Sequence, residues 1–100
     1  MPIALITGTT AGIGAATAQI LAKNGYDLIL NGRRKDRLEE QSEEINSQYA
    51  IKTKVMHVDV RDHDAVKQFI EHLSPDWKSI DILVNNAGLA AGLNSIESGS

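Results

Sequence analysis

Three glycines carry the first hint of chemistry in this chain. Thr7-Gly8-Thr9-Thr10-Ala11-Gly12-Ile13-Gly14 follows a short apolar run and precedes a stretch of helical composition. Gly8 allows a tight turn, Gly12 lets backbone approach an anion closely, and Gly14 permits a helix to pack tightly on a sheet. The free N–H groups at a helix start add partial positive charge, so a diphosphate suits such a loop. The spacing Gly-x3-Gly-x-Gly differs from the Gly-x-Gly-x-x-Gly form usual in dinucleotide sites, and glycine turns between strand and helix are common. Placement directly after a first strand is what makes this loop a phosphate-binding candidate.

Further along stands Asn31-Gly32-Arg33-Arg34. NAD-binding proteins tend to place an acid about twenty residues past the glycines, where it accepts from the ribose hydroxyls. Here the acid is absent, Gly32 leaves room, and two guanidinium groups follow. Arginine holds a 2′-phosphate through bidentate charge-assisted bonds, which an acid would repel, so Arg33 and Arg34 point to NADP(H). Alone, two arginines ahead of an acidic helix would merely solvate a loop; at this interval after the glycines the phosphate reading is preferred. Asp59-Val60 and Asn86-Ala87-Gly88 offer a carboxylate, an amide and a low wall for adenine and ribose. Their plainer alternatives are a turn begun by Asp59 and an Asx-type turn at Asn85-Asn86.

These residues matter only if elements bring them together, and the chain alternates regularly. Ile3–Thr7, Asp27–Asn31, Ile51–Val58 and Asp81–Asn85 read as strands. Gly12–Lys23 reads as a helix with Ile13, Ala16, Thr17, Ile20 and Leu21 on its apolar face, closed by Asn24-Gly25. A polar helix over Lys35–Gln48 has Leu38, Ile45 and Tyr49 as its stripe. The next begins at an Asp62 cap, carries Val66, Phe69, Ile70 and Leu73 at helical spacing, and stops at Pro75. Such alternation predicts an α/β fold: a Rossmann-type parallel sheet with helices on both faces, four strands in the order 3-2-1-4. Strand one then borders the topological switch point where such sheets bind ligands, and all four polar segments lie at strand ends. The fourth strand would be an edge, apolar on both faces and prone to pairing.

Composition sets the remaining bounds. The 100 residues are 42% apolar and 23% charged, enough for one small domain. A net charge of -3 gives no reason to expect nucleic acid. No cysteine is present, which excludes disulfides and thiolate metal sites. No run reaches membrane-spanning length and no charged leader precedes the first strand, so a cytoplasmic protein without membrane contact is expected. His57, His63 and His72 are too scattered for a metal site and are read as surface or packing residues. Trp77 reads as a core plug, and Glu39, Glu40, Glu43 and Glu44 as a solvated helix face.

The glycine loop, Asp59-Val60 and Asn85-Asn86-Ala87-Gly88, in that order, resemble the N-terminal half of the short-chain dehydrogenase/reductase family. The resemblance covers the whole chain and implies that Gly8, Thr9, Thr10, Ala11, Gly12, Ile13, Arg33, Arg34, Asp59, Val60 and Asn86 contact NADP(H), with Gly14, Ala87 and Gly88 shaping the same site. A narrower likeness, in Leu73-Ser74-Pro75-Asp76-Trp77 and Ile80 to Gly92, is to NADP-dependent 3-hydroxy acid dehydrogenases, which act on serine-like hydroxy acids and malonic semialdehyde. The family's catalytic Tyr-x-x-x-Lys is not found: Leu30 stands four residues after Tyr26, and Thr53 four after Tyr49. Residues 1–100 are therefore expected to be the N-terminal part of one NADP-binding domain, with the catalytic residues beyond them. The implied partner is a small hydroxy or carbonyl substrate, and the full-length protein is expected to be a homo-oligomer, dimer or tetramer. The rival readings are a general carbonyl or 3-ketoacyl reductase and a non-catalytic dinucleotide-binding module.

Overall fold

Two five-residue strands, β1 (Ile3–Thr7) and β2 (Asp27–Asn31), are buried along their whole length. That is the pattern of central strands in a parallel sheet covered on both faces. In this computed structural model, which describes residues 2–9 and 12–86, they are joined by β3 (Thr53–Met56) and β4 (Ile82–Asn85). All three pairings are parallel and the order is β3-β2-β1-β4, as the alternation predicts. Helices α1 (Gly12–Lys23) and α2 (Lys35–Gln48) cover one face, where Ala18, Ala22, Leu38 and Ile45 meet Ala4, Ile6, Leu28 and Leu30. On the other face Ile3, Leu5, Ile29 and Met56 pack with Phe69 and Ile70 of α3 (His63–Glu71), Leu73, and Trp77 of the short α4 (Pro75–Lys78). The crossover from β3 to β4 thus changes face and passes back over both β2 and β1, which creates the switch point beside β1.

Three expectations need revision. The buried face of α1 is Gly14, Ala18 and Ala22, with Leu21 beside them; Ile13 and Ile20 are 66% and 61% exposed. Small residues at i, i+4 and i+8 let the helix lie close on the sheet, and closeness outweighs the larger side chains in choosing the face. Strand β3 is shorter than Ile51–Val58, because its ladder lasts only as long as β2 offers partners, from Leu28 to Asn31. Beyond both ends side chains take over: Asp27 accepts from Lys52 N at 2.9 Å, and Asn31 donates to Val58 O at 2.9 Å. Pro75 does not stop α3, which already ends at His72 and its bond to the Gln68 carbonyl; the proline opens α4 instead.

Elsewhere local chemistry works as read. Asp62 caps α3 by accepting from Ala65 N at 3.1 Å. Gly25 takes the left-handed conformation, φ 87°, after α1. Strand β4 is clipped to β1 at its start, where Asp81 bonds Ile3 through both backbone and side chain. It is an edge among the described residues, and its Leu83 is 65% exposed. No described helix is long and apolar enough to cross a membrane.

Candidate functional site

The carboxyl ends of all four strands are joined into one rim by hydrogen bonds. At the switch point Thr7 Oγ1 donates to Asn85 Oδ1 at 3.1 Å, linking β1 to β4. On the other side the chain leaving β1 is held by β2: Thr9 N and Oγ1 donate to Asn31 O at 2.8 and 3.0 Å. Asn31 is 3% exposed, and its side chain carries the link onward. Its Nδ2 donates to Met56 O and Val58 O, both at 2.9 Å, while Oδ1 accepts from Gly8 N at 3.4 Å. One amide therefore ties the glycine loop to the end of β3, using its donors and an acceptor.

Gly8 and Gly12 have φ of 64° and 56°, a conformation other residues adopt only at a cost. A Cβ on Gly12 would meet nothing within 4 Å, so the space beside Gly12, the first residue of α1, is open. Gly14 is the opposite case. A Cβ there would overlap the backbone carbonyl of Gly8, so only glycine lets the helix start against the loop. Ile13 stands exposed between them. Thr9 is wholly buried, and its carbonyl accepts from Gln41 Nε2 of α2 at 2.6 Å. The candidates Thr10, Ala11, Ala87 and Gly88 lie outside the described residues.

Arg33 and Arg34 follow the β2 end and are exposed. Arg34 Nη2 lies 3.7 Å from Asp36 Oδ2, a loose surface pair. The backbone of Arg33 is fixed from β3's side, because His57 bonds its carbonyl at 2.8 Å. A carbonyl only accepts, so His57 Nε2 carries the proton. Asp59 begins a turn, accepting from Asp62 N through its carbonyl and from Arg61 N through Oδ1. Its carboxylate is also gripped by the Arg61 guanidinium at 2.8 to 3.2 Å. Val60 is half-buried and packs against the core cluster on the α3 side of the sheet. Asn86, just past β4, is buried, with Nδ2 lacking a hydrogen-bond partner.

The Arg61 side-chain bonds, with a backbone bond from the same residue, hold the Asp59 carboxyl well below the usual carboxylate range; Arg33 adds a smaller pull. A lowered folded-state value means that the pair's contribution is present above the ordinary carboxylate range. It is lost only as pH falls through the lowered value. Arg61→Ala is expected to move the Asp59 titration, followed by NMR at its carboxyl carbon, up toward the ordinary range. An unmoved midpoint would show that Arg61 is not the cause.

Sequence reading placed the glycines, the arginines, Asp59 and Asn86 at this rim. It did not find Asn31, Gln41, His57 or Arg61 as parts of it. Only Arg61 left a usable trace, an arginine two residues past a strand-end aspartate.

The short chain dehydrogenase family model matches residues 2–99. The chain is 47% identical over 88 residues to sulfoacetaldehyde reductase 2 of Chromohalobacter salexigens, covering 88% of this chain and 34% of that protein. It is 40% identical over 91 residues to an NADP-dependent 3-hydroxy acid dehydrogenase of Shigella flexneri, covering 91% and 35% respectively. Among solved structures, the alcohol dehydrogenase of Thermococcus sibiricus, complexed with 5-hydroxy-NADP, superposes with a TM-score of 0.76 at 34% identity, covering 83% of this chain and 35% of that one. The chain thus spans about a third of the length of the relatives it matches.

Proposed function

The chain belongs to the short-chain dehydrogenase family, and from that premise we propose that it is the cofactor-binding front part of an NADP(H)-dependent oxidoreductase. The observation that carries this reading is the position of Arg33 and Arg34. They follow, after Gly32, the last residue of β2, Asn31, whose carbonyl holds Thr9 of the glycine loop at 2.8 Å. A dinucleotide whose diphosphate lies at the open start of α1 would present its adenosine ribose to that corner. There the acid expected of NAD sites is missing and two exposed guanidinium groups stand in its place. Gly8, Thr9, Thr10, Ala11, Gly12, Ile13 and Gly14 make up the diphosphate side, and Asp59, Val60, Asn86, Ala87 and Gly88 the adenine and ribose side. The nicotinamide, when bound, accepts or donates hydride.

The substrate is a small 3-hydroxy acid or its carbonyl form, such as serine or the 3-hydroxypropionate and malonic semialdehyde pair. The relative named for 3-hydroxy acids supports this. A second reading, reduction of a small sulfonated aldehyde, is favoured by the relative named for sulfoacetaldehyde. Both substrates are short carbonyl compounds bearing an acid group. NADPH oxidation by the full-length protein separates them, with malonic semialdehyde, sulfoacetaldehyde and an uncharged ketone offered in turn. Preference for the uncharged ketone would exclude both.

Cofactor choice has its own test. Charge-assisted hydrogen bonds contribute about 1.5–3 kcal/mol each. Arg33→Ala in the full-length protein is therefore expected to raise KM for NADPH about tenfold or more, with little change for NADH. Equal effects on the two cofactors would remove Arg33 from the 2′-phosphate.

A further inference from the structure

We infer that Gln41, on the second turn of α2, is a positioning residue for the glycine loop and sets the affinity for the dinucleotide. The inference rests on the cofactor reading above. Gln41 Nε2 donates to Thr9 O at 2.6 Å, the bond that reaches the loop from α2. A carbonyl held in one direction fixes its whole peptide plane, and with it the N–H that the plane carries. A loop that binds phosphate through backbone N–H groups depends on such planes being set before the ligand arrives.

Two further observations separate this from ordinary packing. Gln41 borders an open groove of about 650 Å³ between α1 and α2, shared with Ala16, Gln19 and Arg37, so the residue is open on one side. Its Oε1 is buried without a hydrogen-bond partner. A buried acceptor left unmatched lowers stability, and methionine would fill the same volume with neither donor nor acceptor. Methionine would, however, leave the Thr9 carbonyl without this donor, so what glutamine contributes here lies in the loop. Since α2 also starts directly after Arg34, one rigid helix presents the arginines at its end and grips the diphosphate loop from its side.

The test compares Gln41→Met, Gln41→Glu and Gln41→His in the full-length protein, with NADPH and NADH titrated by fluorescence and cofactor-free melting followed separately. Methionine and glutamate cannot donate to Thr9 O and are expected to weaken both cofactors by about five- to tenfold in equal proportion. Histidine, which restores a donor at similar reach, is expected to recover most of that loss. The methionine variant removes the unmatched Oε1 but leaves Thr9 O without this donor, and is therefore expected to melt close to wild type. Wild-type affinity in Gln41→Met would overturn the inference, as would a loss confined to NADPH. Failure of the wild-type protein to bind NADPH would instead overturn the cofactor reading on which it rests.

Discussion

Gly14→Ala is expected to destabilise the full-length protein by about 3 kcal/mol or more and to abolish measurable dinucleotide binding. The added methyl would occupy the space of the Gly8 carbonyl oxygen, and the obstacle is backbone rather than a side chain that can swing aside. Neither side can retreat easily. Gly8 precedes Thr9, which is bound to Asn31 and Gln41, and α1 is seated on the sheet through Ala18 and Ala22. Relief requires lifting the helix start, which would separate the free N–H groups from the loop. Gly12→Ala supplies the contrast. Its methyl meets open space, so the cost is chiefly that of φ 56°, about 1–2 kcal/mol. Urea denaturation and NADPH titration of both variants decide the matter. If Gly14→Ala unfolds and binds like wild type, the close approach of helix and loop is not what Gly14 provides.

The strands and their order were legible because burial on both faces leaves a simple mark: short apolar runs punctuated by glycine and acid, separated by helices long enough to cross over. The rim followed from topology, since strand ends in a parallel sheet share one side. The buried face of α1 was hidden for a physical reason. Periodicity weighs Ile13 and Ile20 above Gly14, Ala18 and Ala22, whereas close packing on a sheet selects the small residues. Hydrogen-bonding amides were hidden more thoroughly. Gln41 stands in a run of glutamates that reads as solvated helix, and its partner is a backbone carbonyl thirty-two positions earlier. Nothing in its own neighbourhood marks that bond. His57 reads as a surface or packing residue, and it is exposed; its bond to Arg33 O depends on where two strand ends meet.

Asn31 shows how far such a hidden role reaches, because the simplest change there is expected to fail in an instructive way. Asn31→Asp would place an acid where proteins that bind NAD tend to carry one, and a cofactor switch is the naive expectation. The structure directs that side chain elsewhere, inward to Met56 O and Val58 O. A carboxylate there loses both donations and sets negative oxygen against two carbonyl oxygens in a position 3% exposed. Stability is expected to fall by about 3–5 kcal/mol at neutral pH, in the range for an uncompensated buried charge. Burial and the facing carbonyls would raise the folded-state pKa of the new acid above its unfolded value, so the folded variant binds the extra proton. Its deficit relative to wild type should then shrink as pH falls from 8 to 5.5, where the neutral acid can donate to one of the two carbonyls. Urea unfolding of the full-length variant at the two pH values measures this directly. A stable Asn31→Asp protein that prefers NADH at pH 8 would mean that the side chain faces the ribose, and that the rim is held together by something other than this amide.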